Sequence, residues 1–232
     1  MNLILLVLIV IIAGLFLYWL LVMTEGVYLG RRVVVWLYDL TANKYDGIKQ
    51  FDVDHERATI SIPLSQSLAG LQKPLVLDVA TGTGRVPVLL IQEAGFAGRV
   101  VGLDAAGKML AIASSKLGAL PTDYGKCVGL IQQTAVPLPF QSSIFDAVTC
   151  LEALEFLPSD EAAISEMVRV LRPGGILMTT RRTGHEARVF FDRYRSAESF
   201  EAFLRDAGLA SVRTNAWQIN YDLVTARKRS YS

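Results

Sequence analysis

Leu75-Val76-Leu77-Asp78-Val79-Ala80-Thr81-Gly82-Thr83-Gly84 decides the fold of this 232-residue chain. A short apolar run ends beside an acid and enters a turn with two glycines, and a helix-forming stretch follows over residues 86–94. Glycine lets the backbone take positive φ and lets a ligand approach with no Cβ in the way. Pro87 suits the first turn of the following helix, whose N-terminus then points at the ligand.

The same alternation continues outward. Residues 100–103, 127–131, 146–150 and 176–180 are short apolar runs, and 106–117 and 160–171 are helix-like stretches between them. Apolar strands alternating with helices predict a parallel sheet covered on both faces. A last helix over 197–206 ends at Gly208, which suits a C-cap. Two alternating strands, 211–217 and 221–226, then lie close enough to pair as a hairpin. The expectation is an α/β, doubly wound, mostly parallel seven-stranded sheet with a C-terminal antiparallel hairpin. Ligands of such sheets bind at the carboxyl ends of the strands, where strand order reverses.

Before the domain, Leu3–Met23 carries no charge and is apolar throughout. A helix of that length reaches roughly 30 Å, the thickness of the hydrocarbon core. A cleaved signal peptide needs a basic leading segment and a small-x-small cleavage site; no Lys or Arg precedes the run, and Val22-Met23-Thr24-Glu25 offers no such site. The expected organisation is a transmembrane anchor over residues 1–25, a juxtamembrane segment over 26–37 and a catalytic domain over 38–232. Arg31, Arg32, Lys44 and Lys49 all follow the run. The positive-inside rule therefore predicts a single-pass protein with its domain in the cytoplasm. A net charge of +1 gives no basic excess for nucleic acid. Cys127 and Cys150 both fall in apolar runs, which suits buried thiols rather than a disulfide framework. No metal site is expected.

The glycine turn narrows the ligand. A P-loop requires Gly-Lys-Ser/Thr, but Arg85 and Val86 follow Gly84. A dinucleotide fingerprint requires a third glycine where Pro87 stands. Asp78, four residues before Gly82, suits a ligand with a cationic amino-acid end, and S-adenosylmethionine has one. Asp104 ends the second strand, about twenty residues on, where an acid accepts hydrogen bonds from ribose hydroxyls. Its alternative is an N-cap for the helix over 106–117. Met109 and Leu110 either pack near an adenine or belong to the core.

Taken together, these motifs resemble the class I S-adenosylmethionine-dependent methyltransferases, most closely the type 11 group that includes quinone-biosynthesis enzymes. Leu77–Gly84 looks like the family's first motif and Gly102-Leu103-Asp104 with Lys108-Met109-Leu110 like its second. Leu138-Pro139-Phe140 with Phe145-Asp146-Ala147-Val148 looks like its fourth-strand region, and Leu171-Arg172-Pro173-Gly174-Gly175-Ile176-Leu177 like the turn into its fifth strand. Tyr38-Asp39 and Tyr45-Asp46 look like a tyrosine-aspartate segment that closes the cofactor site. The resemblance implies a Rossmann-like fold and S-adenosylmethionine as cofactor. It implies that Asp78 and the Gly82 and Gly84 backbone hold the methionine end and Asp104 the ribose, with Ala80, Met109, Thr134, Ala135 and Tyr45 completing the site. The family commonly has an acid where Thr134 stands; a hydroxyl accepts more weakly than a carboxylate.

Methyl transfer requires alignment and water exclusion, and a base only when the nucleophile must lose a proton. Glu152, Glu155 and His185 follow the fourth and fifth strands and are the candidates, although solvated or structural roles suit each of them. The anchor points to a lipophilic acceptor, a quinone precursor or a lipid. The alternatives are a tethered enzyme for a soluble small molecule and a membrane-bound cofactor-binding module without catalysis.

Overall fold

A computed structural model describes residues 3–230. Helix α1, Leu3–Tyr18, continues through a wider turn at Trp19–Met23, and none of these 21 residues is buried. The run is long and apolar enough to cross a membrane. It stops where Thr24 and Gly26 bond back to the carbonyls of Trp19 and Leu20, at 3.0 and 2.9 Å. A single turn at Val27–Leu29 leads into α2, Arg31–Lys49. Helix α2 passes unbroken across the expected boundary at residues 37/38, so the two segments expected on either side of it share one helix.

Two helices that the sequence pattern did not announce follow. These are α3, Val53–Glu56, and α4, Ile62–Leu68, joined by a wide turn at Arg57–Ser61. Asp52 caps α3 by accepting the Asp54 and His55 N–H bonds, both at 3.1 Å. The alternating portion is β1 (Leu75–Val79), α5 (Arg85–Ile91), β2 (Arg99–Asp104), α6 (Gly107–Gly118), α7 (Thr122–Gly125), β3 (Val128–Gln132), β4 (Phe145–Cys150), α8 (Asp160–Val170) and β5 (Leu171–Arg182). It ends with α9 (Gly184–Ala187), α10 (Ala197–Asp206), β6 (Leu209–Gln218) and β7 (Tyr221–Lys228).

The sheet has seven strands in the order β3-β2-β1-β4-β5-β7-β6. All pairs are parallel except β5–β7 and β6–β7. This is the expected doubly wound sheet with its C-terminal hairpin. Strand β5 is longer than the expected 176–180 at both ends: Leu171 already pairs with Phe145, and Arg181 and Arg182 continue the ladder opposite Asp222 and Tyr221. Gly208 takes φ +98 after α10, as a C-cap should.

Both faces of the sheet are buried. Leu77, Val79, Val148 and Leu177 face one core, under α8 and α10, while Val76, Val100, Ala147 and Ile176 face the other, under α4 and α5. The split follows the two-residue strand period, and each of these valines, leucines and isoleucine contributes about 1.5–3 kcal/mol on burial. Strand order reverses between β1 and β4, so the crevice opens at the ends of these strands.

Candidate active site

Strand β1 delivers its turn to that crevice. Ala80, Gly82 and Gly84 take φ of +55, +54 and +80. A Cβ at Gly82 would meet nothing within 4 Å, so the turn leaves open space beside it. A Cβ at Gly84 would lie 3.0 Å from the Ala113 Cβ, so this glycine lets α5 start close against α6. Asp104, at the end of β2, accepts the Gly82 N–H on Oδ2 and the Ala106 N–H on Oδ1, each at 2.8 Å. Burial pushes its carboxyl above the usual range, against the pull of those backbone bonds.

Asp104 does not provide the first-turn cap that was its alternative role. Helix α6 begins at Gly107, and the N–H of Lys108 is instead satisfied by Asp39 of α2 at 2.8 Å. Asp46, one α2 segment later, accepts the Thr83 hydroxyl at 2.7 Å and pairs with Lys116 at 2.6 Å. The two tyrosine-aspartate pairs thus fasten α2 over the glycine turn, one to α6 and one to the turn itself.

A cleft of about 760 Å³, counting the solvent at its mouth, lies beneath α2. Of the residues expected around a cofactor it gathers Tyr45, Ala80, Gly82, Asp104, Met109, Thr134 and Ala135. Asp78 and Gly84 do not line it. Asp78 sits under the turn, with its carboxylate held by the hydroxyls of Thr81 at 2.6 Å and Thr149 at 2.5 Å. Burial pushes its pKa up to about 6 in spite of those bonds. The Thr134 hydroxyl donates to the Val136 carbonyl at 3.1 Å.

Of the three candidate acid–base residues, only Glu152 lines the cleft. It accepts from Lys49 at 2.7 Å and Arg85 at 2.8 Å. Burial raises the Glu152 carboxyl, but Arg85 and Lys49 outweigh that and hold it below the usual range. Glu155 lies next door and accepts from the Tyr221 hydroxyl and, at 3.3 Å, from Arg182. His185 is exposed on α9, away from the cleft. Cys150 is fully buried in β4, where burial raises its thiol pKa, and Cys127 is half-buried; both are free.

Sequence reasoning found only Tyr38 of one wall. Val34, Val35 and Tyr38 of α2, with Phe156 and Leu157 after β4, make the apolar side of the cleft. Spacing of one helical turn between Val34 and Tyr38 was the available signal, but Arg31 and Arg32 obscured it.

The donor set fits a nucleoside with a cationic amino-acid end. Each Asp104 oxygen has one backbone N–H and retains a lone pair for a ribose hydroxyl, and Gly82 leaves space beside the turn. The fold and site define a nucleotide-type binding protein of the doubly wound class. Its family follows from similarity. Residues 77–179 match the model of the family described as "Methyltransferase domain". The demethylmenaquinone methyltransferase of Thermus thermophilus is 34% identical over 174 residues, covering 65% of this chain and 77% of that protein. The chain belongs to the class I S-adenosylmethionine-dependent methyltransferases.

The chloroplastic 2-phytyl-1,4-beta-naphthoquinone methyltransferase of Arabidopsis thaliana is 36% identical over 112 residues, covering 48% of this chain. The match spans 43% of that protein, and 40% of the Bacillus cereus demethylmenaquinone methyltransferase. Among solved structures, the [4+2]-cyclase SpnF aligns with a TM-score of 0.71 over 87% of this chain and 97% of that one, at 19% identity. That likeness concerns the fold, and a fold alone does not fix a reaction.

Proposed function

We propose that this protein transfers the methyl group of S-adenosylmethionine to a quinone-type, lipophilic ring acceptor at a membrane surface. Two kinds of observation support this: relatives named as quinone methyltransferases, and an apolar cleft wall built from the helix that follows the exposed apolar α1. The second carries the membrane reading. Only Thr24–Gly30 separates Met23 from α2, so a bilayer crossed by α1 lies beside the helix that covers the cleft. The basic residues after α1 support a cytoplasmic position for the domain.

When bound, the cofactor supplies an activated methyl group. Asp104 holds the ribose, and Gly82 and Ala80 leave space for the methionine end, whose charge Asp78 balances from below. Met109, Thr134 and Ala135 flank the base, and Tyr45 covers it. The chain contributes alignment and exclusion of water.

The test is transfer of labelled methyl from S-adenosylmethionine into a quinone-containing lipid extract, by full-length protein in detergent. Label in the quinone fraction is expected. Asp104→Ala should weaken cofactor binding by about 1–3 kcal/mol, the usual loss for a hydrogen bond to a charged group. Binding of NAD without S-adenosylmethionine would end this reading. Reporter activity outside the cytoplasm, from a C-terminal fusion, would overturn the orientation.

A further inference from the structure

Helix α2 has two unlike faces. Val34, Val35, Tyr38 and Tyr45 line the cleft. Away from the cleft runs a stripe at four-residue steps, Arg32, Trp36, Leu40, Lys44 and Ile48, and every member of it is exposed. Steps of four drift about 40° around a helix of 3.6 residues per turn, so the stripe covers a little under half the circumference. Trp36, Leu40 and Ile48 are 58, 63 and 67% exposed. Large apolar side chains standing together in water mark a surface made for contact.

The charge on this face has one sign. The two acids of α2 are engaged elsewhere, Asp39 by the Lys108 N–H and Asp46 by Thr83 and Lys116. Arg31, Arg32 and Lys44 are left exposed. One turn away from Arg32 and Lys44 stand Trp36, Leu40 and Ile48 rather than carboxylates.

The stripe adjoins the base of α1. Beside it on α2, Val33 and Leu37 pack on Gly26, where a Cβ would lie 2.8 Å from Val33 and 3.1 Å from Leu37. Gly26 in turn bonds back to the Leu20 carbonyl at 2.9 Å. At the same turn, exposed Phe191 stacks on Trp19 and Tyr28, with centroids 6.1 and 5.1 Å apart, and Asp192 beside it is engaged by the Tyr28 hydroxyl. Exposed aromatic and apolar groups therefore flank the foot of a helix that is long and apolar enough to cross a bilayer.

We propose that the outer face of α2 docks on the acidic lipids of the membrane, with Arg32 and Lys44 on anionic headgroups and Trp36, Leu40 and Ile48 sunk to the edge of the acyl chains. The inference rests on the reading of α1 as a span of that membrane. A helix with basic and aromatic residues on one side lies in the plane of the interface. Tryptophan settles at headgroup depth, and basic side chains beside a membrane-crossing helix are drawn to acidic lipid. Continuity with α1, and a face of α2 that carries cations and no acid, select an anionic bilayer as the partner. The cover of the cleft is then itself the membrane contact. Arg31, exposed at the start of α2 and lining the cleft, stands where headgroups meet the mouth. An acceptor leaving the bilayer there meets the apolar wall of Val34 and Val35.

The probe is a vesicle of phosphatidylcholine, with or without phosphatidylglycerol, that holds the full-length protein. The lipid chains are brominated either near the headgroup or near the bilayer centre. The Trp36 signal is the emission of the wild type less that of Trp36→Phe. With phosphatidylglycerol present, bromine near the headgroup should remove at least half of that signal and bromine near the centre far less, and aqueous iodide should not reach it. Without phosphatidylglycerol, or in the double variant Arg32→Glu, Lys44→Glu, the quenched fraction should fall at least threefold. The S-adenosylmethionine Kd of that variant in detergent should stay within twofold, because neither residue lines the cleft. A Trp36 that iodide quenches and bromine does not overturns the proposal, and so does quenching that is equal with and without the acidic lipid. Shielding from both quenchers, with a dimer in detergent, assigns the face to a second copy of the chain and overturns it as well. Release of the full-length protein from the vesicles by alkaline carbonate would remove the membrane span instead, and the Trp36 signal would still report docking.

Discussion

Asp46 accepts the hydroxyl hydrogen bond of Thr83 at 2.7 Å, joining the helix over the cleft to the glycine turn below it. The same carboxylate pairs with Lys116. Because the Asp46 side chain is 40% exposed, the ion pair itself adds little, and the value of the contact lies in holding α2 down. Asp46→Ala should raise the S-adenosylmethionine Kd about five- to tenfold, or roughly 1 kcal/mol. Calorimetry checks it. An unchanged Kd would mean that Asp39 on Lys108 suffices to seat the helix.

Glu152 stands between two cations, with its side chain 4% exposed and that of Arg85 13%. Removing it leaves Glu56, at 3.4 Å, as the one ion-pair partner of Arg85 among the described residues. Breaking a buried pair this way costs about 3–5 kcal/mol. Glu152→Ala should therefore lower stability by that order in urea titration. Loss of turnover with the urea midpoint unchanged would instead assign Glu152 a chemical role.

Asp78 gives the fold a pH signature. Its pKa is pushed up to about 6, chiefly by burial. A carboxyl with a native pKa above its unfolded value makes the native state bind more protons than the unfolded one. Its contribution is then fully present below about pH 4 and is lost as pH rises through about 6, on the order of 3 kcal/mol in all. In cofactor-free protein, Asp78→Asn should flatten stability between pH 4 and 6.5 relative to wild type, as read from unfolding at a series of pH values. Parallel wild-type and variant profiles would refute the assignment.

Deleting residues 1–23 leaves Thr24 and Glu25 in place. A span raises the effective concentration of membrane-dissolved substrates without adding a contact. The shortened protein should lose at least tenfold in kcat/KM on an acceptor in vesicles and less than threefold on a detergent-soluble analogue. Equal losses on both would make the segment a folding element.

The sheet was legible because its strands are apolar runs bounded by glycine, proline and helix signals, all of them local. Leu75–Val79 and 197–206 were placed to the residue. The apolar run understates β5 because it starts after Gly175 and stops at the first charge, whereas Leu171 already pairs with Phe145 and Arg181 is paired with Asp222 across the ladder. The glycine turn and Asp104 were legible through spacing. The charged cluster was not, because Lys49 and Glu152 are 103 positions apart and Arg85 and Glu152 are 67 apart. Asp39 and Asp46 were noticed as a pattern, but their partners on α6 and the turn come only from the fold. Glu25 reads in sequence as the tail of an anchor, since nothing local shows that the chain turns inward there.

The rings of Phe16, Trp19, Phe191 and Tyr28 stack in a ladder, with neighbouring centroids 5.1 to 6.1 Å apart, and Tyr28 donates to Asp192 at 2.6 Å. This ladder ties the base of α1 to the loop after α9, so the apolar helix meets the domain at two places rather than through a swivel. In a bilayer, the cleft would keep a constant height and heading as the protein diffuses. Encounter with a ring acceptor then becomes a search in two dimensions by a mouth of fixed attitude, and tilting α1 would steer that mouth directly.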